Sequence, residues 1–135
     1  MDLNSAVKVS ASGLRAQSLR MRVIAENLAN ADSVSETPGG NPYRRKVANF
    51  RAEVDRATGA SEVKVSKIAG DKSDFTRVYQ PGNPAADTRG YVLMPNVNKL
   101  VETADMKAAQ RSYEANLNAI EAARTLTMRT VDLLK

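Results

Sequence analysis

The stretch from Asn98 to Leu134 constrains the fold most, because it contains no glycine and no proline. An unbroken helix over this length would run about 55 Å, at about 1.5 Å per residue. A compact chain of this size has a radius of gyration of roughly 14 Å, so one small core cannot cover such a helix. The sequence therefore predicts a long C-terminal helix that needs neighbours along much of its length.

Two faces of this predicted helix are apolar. Large side chains recur at steps of three and four residues or their sums, as one helical face requires. An alanine-rich face across the axis would let a second helix approach closely, although alanine is also simply the best helix former. The bulky face comprises Met106, Tyr113, Leu117, Ile120, Val131 and Leu134, and the alanine-rich face comprises Ala104, Ala108, Ala115, Ala119, Ala122, Leu126 and Leu133.

A second helix is predicted near the N-terminus, where Asp2, Asn4 and Ser5 offer N-caps. Gly13 interrupts it at a cost of about 1 kcal/mol against alanine, which indicates either close helix packing or a segment that is not helical by itself. We favour close packing. An apolar heptad predicts that the C-terminal helix packs along this one. The heptad positions are Val7, Leu14, Met21 and Leu28.

The middle of the chain has the composition of loops and strands. Residues 37–42 read as a loop, and the segment from Tyr43 onward as extended chain. Strands are predicted at 63–68, 75–79 and 91–94, from their β-branched and aromatic residues. The turn-forming residues between the first two strands predict that these two form a hairpin.

The predicted fold class is mainly α, with paired N- and C-terminal long helices that are coiled-coil-like and a small β-rich insert between them. Aromatic residues make up only 4% of the chain, so its core should consist of aliphatic side chains, as in helix packing. Three segments are expected. They are residues 1–33 as an N-terminal helix, 34–96 as loop and β-rich insert, and 97–135 as a long C-terminal helix.

The composition argues against an enzyme. The chain has no cysteine and no histidine, so thiolate nucleophiles, disulfides, the commonest general base and the usual zinc ligands are all missing. Glu114 and Glu121 lie seven residues apart and could share a site, but solvated carboxylates on a helix face are far commoner. We expect no catalytic residues, no bound metal and no cofactor.

Two binding classes remain as alternatives. The net charge of +5 and the run Arg44-Arg45-Lys46 beside Tyr43 would suit a nucleic acid, but the other charges are dispersed, so a solvated basic loop is favoured and no nucleic acid is expected. The heptad would suit a coiled-coil homodimer, but Arg124 at a core-like position and the second apolar face argue against one. No apolar run approaches the roughly 20 residues of a membrane span, and no cleaved signal peptide is predicted.

Several stretches resemble the bacterial flagellar rod and hook family of axial proteins. The N-terminal signature is Ala11–Gln17 followed by Ala25–Ser33. The longer loop before Gly40–Lys46 is similar to that of C-type proximal rod members. The resemblance continues through Val78–Asp87 and Gly90–Asn98, and into the C-terminal helix at Met106, Ala109 and Arg111–Asn116. The chain departs from the pattern at Gln80 and Asn83 and in the lead-in Lys99–Ala104, which puts loop contacts in doubt.

The resemblance implies a structural subunit of the proximal rod, within the periplasmic part of the flagellar basal body. It implies export by the flagellar type III apparatus without signal cleavage, and partners that are the chain itself and other rod proteins. A head-to-tail contact that does not close gives a helical filament, and packed helix interfaces would transmit torque. The expected assembly interface is Val7, Leu14, Met21, Leu28, Met106, Tyr113, Leu117, Ile120, Val131 and Leu134.

Overall fold

A computed structural model describes residues 2–135 as two helices and four strands. Strands β1 and β2 form one two-stranded sheet, and β3 and β4 form another. The elements in chain order are α1 (Leu3–Ala29), β1 (Lys46–Val54), β2 (Ser61–Gly70), β3 (Thr76–Tyr79), β4 (Tyr91–Met94) and α2 (Lys99–Leu133).

The two long helices begin directly after capping residues, Asp2 for α1 and Asn98 for α2. Asp2 Oδ1 accepts a hydrogen bond from the Ser5 backbone N–H at 2.7 Å. Asn98 Oδ1 accepts from the backbone N–H groups of Leu100 and Val101, at 3.1 and 3.2 Å. Each cap satisfies amide donors that have no partner inside the first helical turn. The order of the elements, with a helix near each end of the chain and strands between them, agrees with the prediction.

The predicted class, mainly α with a coiled-coil-like helix pair, is wrong. Helices hold 46% of the residues and strands another 20%, in two small sheets. The buried positions of α1 also fall outside the predicted heptad, whose four residues are all half-buried. Small or polar side chains take most of the buried places, where they allow close approach to neighbouring segments, and Val23 and Ile24 take the others. These buried residues are Ser5, Ser12, Ala16, Val23, Ile24 and Asn27.

Unit 1, one of two compact units, contains the described residues up to Met21 together with 48–67 and 107–135. The first turn of α1 lies beside Thr127, and a Cβ on Gly13 would come within 2.7 Å of Asn116 Nδ2, so the helices run antiparallel. Close packing at Gly13 is thus confirmed. Ser12 Oγ accepts a hydrogen bond from the Val63 N–H at 3.0 Å, which fixes β2 to α1.

Unit 2 contains residues 22–47 and 68–106. Its β3–β4 sheet is antiparallel and pairs Thr76 with Met94 through to Tyr79 with Tyr91. Val92, on β4, is 1% exposed and is the largest fully buried apolar side chain of this unit. The Tyr79 and Tyr91 rings stack edge to face, with their centroids 5.3 Å apart, at the end of the sheet.

The predicted hairpin between residues 63–68 and 75–79 is wrong, because β2 pairs with β1 instead of β3. The tight turn lies earlier in the chain. The Asp55 N–H donates to Ala60 O at 2.8 Å, Asp55 Oδ1 accepts from the Ala57 N–H at 2.9 Å, and Gly59 takes a φ of 70°. That positive φ suits glycine and closes the β1–β2 hairpin.

Candidate functional site

A buried polar cluster in unit 2 joins α1, β1 and α2. Asn27 is 1% exposed and uses both ends of its amide. Its Oδ1 accepts from the Tyr43 hydroxyl at 2.8 Å and from the Lys46 N–H at 2.9 Å, while its Nδ2 donates to Lys46 O at 2.9 Å. The Asn27 side chain thereby bonds to both the backbone N–H and C=O of Lys46, as a neighbouring strand would, and fixes the start of β1 against α1.

Glu102 is the second centre of this cluster, and its side chain is fully buried at 0% exposure. It accepts hydrogen bonds from Arg45 Nε and, at 3.3 Å, from Asn27 Nδ2. Arg45 Nη1 also donates to Asp71 Oδ2 at 3.2 Å. A buried carboxylate needs such a partner, because an unpaired charge in the interior is strongly unfavourable.

Burial and neighbouring groups shift the pKa values of three residues in this cluster. Burial opposes the charge of Arg45, but the hydrogen bond and charge of Glu102, and then those of Asp71, raise its pKa overall. The backbone N–H and hydroxyl of Ser73, with Arg45 as a further contribution, hold the pKa of Asp71 below its usual range. Burial raises the pKa of the Tyr43 hydroxyl. Arg45 and Asp71 therefore stay ionised over the whole neutral range.

Residues from the stretches that resemble the family contact one another in this cluster. Asn27, Tyr43 and Arg45, from stretches that carry the family resemblance, meet here as internal contacts. The other two residues of the basic run, Arg44 and Lys46, also have partners within the chain. Arg44 lies over the Phe75 ring, 4.2 Å from its centroid, and donates to Asp71 O at 2.6 Å, while Lys46 pairs with Glu26 at 2.5 Å. These contacts join separate segments of unit 2 to one another.

Helix α2 divides into a covered face and an open face. Ala109 is 0% and Ala123 is 5% exposed, so small side chains line the covered face. The alanine-rich face of the sequence is exposed from Ala104 to Leu133. The last two turns expose large apolar groups, with Leu126 at 52%, Leu133 at 87% and Leu134 at 83%. Apolar surface of this kind on a helix end marks an interaction surface.

The ten predicted interface residues fall into two groups. Seven are half-buried inside the chain's own packing, and the remaining three are exposed. The half-buried ones are Val7, Leu14, Met21, Leu28, Met106, Tyr113 and Ile120, and the exposed ones are Leu117, Val131 and Leu134. Leu100, which is 81% exposed, is not among the predicted interface residues, although it lies near the start of the predicted C-terminal helix. The pairing of Arg45 with Glu102 was not predicted either, because no local signal in the sequence reveals it.

Residues 2–135 contain no group of three or more His, Cys, Asp or Glu side chains placed to hold a metal ion. In the same residues, neither helix is long and apolar enough to cross a membrane.

Comparison with known proteins agrees with the resemblance. The family described as "Flagella basal body rod protein" matches residues 8–35, and the one described as "Flagellar basal body rod FlgEFG protein C-terminal" matches residues 88–133. The flagellar basal-body rod protein FlgC of Agrobacterium fabrum is 53% identical over 133 residues, covering 98% of this chain and 96% of that protein. FlgC of Salmonella typhimurium is 39% identical over 133 residues, covering 98% of both. FlgC of Bacillus subtilis is 38% identical over 144 residues, covering 96% of both.

These matches extend over both helices and the strands between them. The chain belongs to the family of flagellar basal-body rod proteins. Its full-length relatives named above are the FlgC proteins, and the chain is accordingly a structural subunit of the proximal rod.

Proposed function

We propose that this subunit polymerises through its terminal helices, with copies of itself and with other rod proteins, and that the polymer transmits torque. The observation that carries the proposal is the exposed apolar end of α2. Met128 is 58% and Val131 is 50% exposed there, in addition to Leu126, Leu133 and Leu134. Covering one such side chain contributes about 1.5 to 3 kcal/mol. A neighbouring subunit is the natural cover.

In this proposal residues 1–33 and 97–135 form the axial core and 34–96 the insert. The ten predicted interface residues contribute from both helices, the half-buried ones by the edge that remains open. Helix faces that differ from each other favour heterologous contacts, which repeat without closing and so build a filament. Close-packed side chains make such a filament stiff enough to carry torque.

We further propose that the subunit is exported through the flagellar type III apparatus without a cleaved signal. This export requires that the chain unfolds readily. The many small side chains at buried positions support this, among them Ser12, Ala16 and Ala109, because each buries little apolar area and contributes correspondingly little stability. In this proposal the rod lies in the periplasm. The proposal assigns the chain no catalytic step, no cofactor and no nucleic-acid partner.

Leu126→Glu tests the proposal, with the adjacent Thr125→Glu as its matched control. Both residues are exposed on α2, so both purified variants should unfold at the same temperature as the unsubstituted chain. In cells, Leu126→Glu should still be exported but build no rods, as seen by electron microscopy of basal bodies, whereas Thr125→Glu should assemble. Normal rods from Leu126→Glu would show that the open face of α2 is not an interface.

A further inference from the structure

Two stripes in unit 1 carry opposite charges at the same spacing. The basic stripe on α1 is Lys8, Ala11 and Arg15, of which Ala11 is half-buried and the two charged residues are exposed, and the acidic stripe on α2 is Glu114, Leu117 and Glu121, all exposed. Each places a central residue three positions from one charge and four from the other, so its three side chains lie on one helical face. In each stripe the two charges are about 10.5 Å apart along the helix, at about 1.5 Å per residue.

The central residues complement each other as well. Leu117 projects from between the two carboxylates and is 39% exposed. Ala11 leaves a shallow gap between the two basic side chains. A large residue opposite a small one, with opposite charges on both sides, is the pattern by which helices select a partner.

The stripes do not meet within one copy. The side of α1 that faces α2 in this unit carries Gly13, and the side of α2 that faces α1 carries Asn116. Within residues 2–135, Arg15, Glu114 and Glu121 form no ion pair, and Lys8 makes a single long one, 3.9 Å from Asp55. Three of the four charges thus have no ion-pair partner among the described residues, and Lys8 has only a distant one, so all four can contact a neighbouring subunit.

We propose that the basic stripe of one copy docks on the acidic stripe of a second copy of this chain. The proposal rests on the proposed assembly through the terminal helices and specifies the faces that meet. Because the two stripes are different surfaces, the contact is heterologous, and each copy offers both halves to successive neighbours. Charge complementarity of this kind fixes register and rejects wrong partners.

Charge reversal tests the pairing. Lys8→Glu with Arg15→Glu, and separately Glu114→Lys with Glu121→Lys, should each place like charges together and abolish rods and swimming. All four substitutions combined should restore both. The purified variants should nearly keep their unfolding temperature, because the reversed side chains are exposed and the one ion pair lost, Lys8 with Asp55, is long and lies at the surface. Normal rods from either double variant would overturn the proposal, as would a combined variant that folds but does not recover.

A cross-link gives a second measurement in a chain that has no cysteine of its own. Cells that express an Ala11→Cys copy together with a Leu117→Cys copy should yield disulfide-linked dimers in isolated basal bodies after mild oxidation. Either variant alone should not. Assembled rods without this dimer would refute the contact. If Leu126→Glu blocks rods while the charge reversals are silent, this inference fails alone; if Leu126→Glu also assembles, the proposed function fails with it.

Discussion

The pairing of Arg45 with Glu102 allows a quantitative test of what holds unit 2 together. Glu102 is 0% exposed, and Arg45→Met would remove its cationic partner while keeping most of the side-chain volume. The carboxylate would stay buried beside the Asn27 amide, 3.3 Å away. Breaking a buried pair by removing one partner costs about 3–5 kcal/mol. Small domains are stable by about 5–15 kcal/mol, so this one change should remove a large share of the total.

Urea unfolding of the purified protein, followed by helical circular dichroism, measures the loss. The midpoint should fall while the slope against urea stays the same, if the change affects stability alone. Arg51→Met, on β1, is the matched control, because Arg51 pairs with Glu53 at 3.3 Å in an exposed position. Exposed pairs contribute about 0–1 kcal/mol.

The double variant Arg45→Met with Glu102→Met separates charge from packing. It leaves no uncompensated carboxylate, so it should be more stable than Arg45→Met alone. Equal losses from Arg45→Met and from the Arg51→Met control would refute the reasoning. So would a double variant less stable than the single one, since packing and not charge would then dominate.

Two further predictions concern acid and loop length. The folded-state pKa of Asp71 lies below its ordinary value of 3.8, so its contribution to stability is complete above that pH and is lost as the pH falls further; the free energy of unfolding should decline below about pH 3.8, and less steeply in Asp71→Asn. A Gly-Ser insertion after Gly59, in an exposed turn, should leave the unfolding temperature nearly unchanged, whereas the same insertion after Asp71 should lower it clearly because Asp71 O holds Arg44 and Asn96.

The helices were predictable because their signals are local. The stretch without glycine or proline that starts at Asn98 predicted the extent of α2, and the candidate cap at Asp2 predicted the start of α1. The β-rich middle was also visible from its composition. These features depend on neighbours within a few residues in the chain, which a sequence displays directly.

Strand partners and buried positions were not predictable in the same way. The residues around Gly70 look like a hairpin turn, yet Asp71 is held by Arg45 and its carbonyl by Arg44, so the chain passes on to a different sheet. The better turn signal was Asp55 followed by Gly59. Burial of Asn27 and Glu102 depends on a contact between residues 75 positions apart, whereas the heptad of large residues suggested a different inner face.

The two faces of α2 relate folding to assembly. The buried apolar positions carry alanine, at Ala109 and Ala123, and the larger Met106, Tyr113 and Ile120 are only half-buried, so the isolated subunit buries little apolar area along this helix. Outward positions near its end carry leucine, as at Leu126 and Leu133, where water still covers them. At roughly 25 cal/mol per Å² of apolar surface, much of the hydrophobic free energy available to this sequence is therefore not realised by folding alone. In the proposed rod that share is gained only when neighbours arrive. The same arrangement would keep the free subunit easy to unfold and make the assembled one hard to remove.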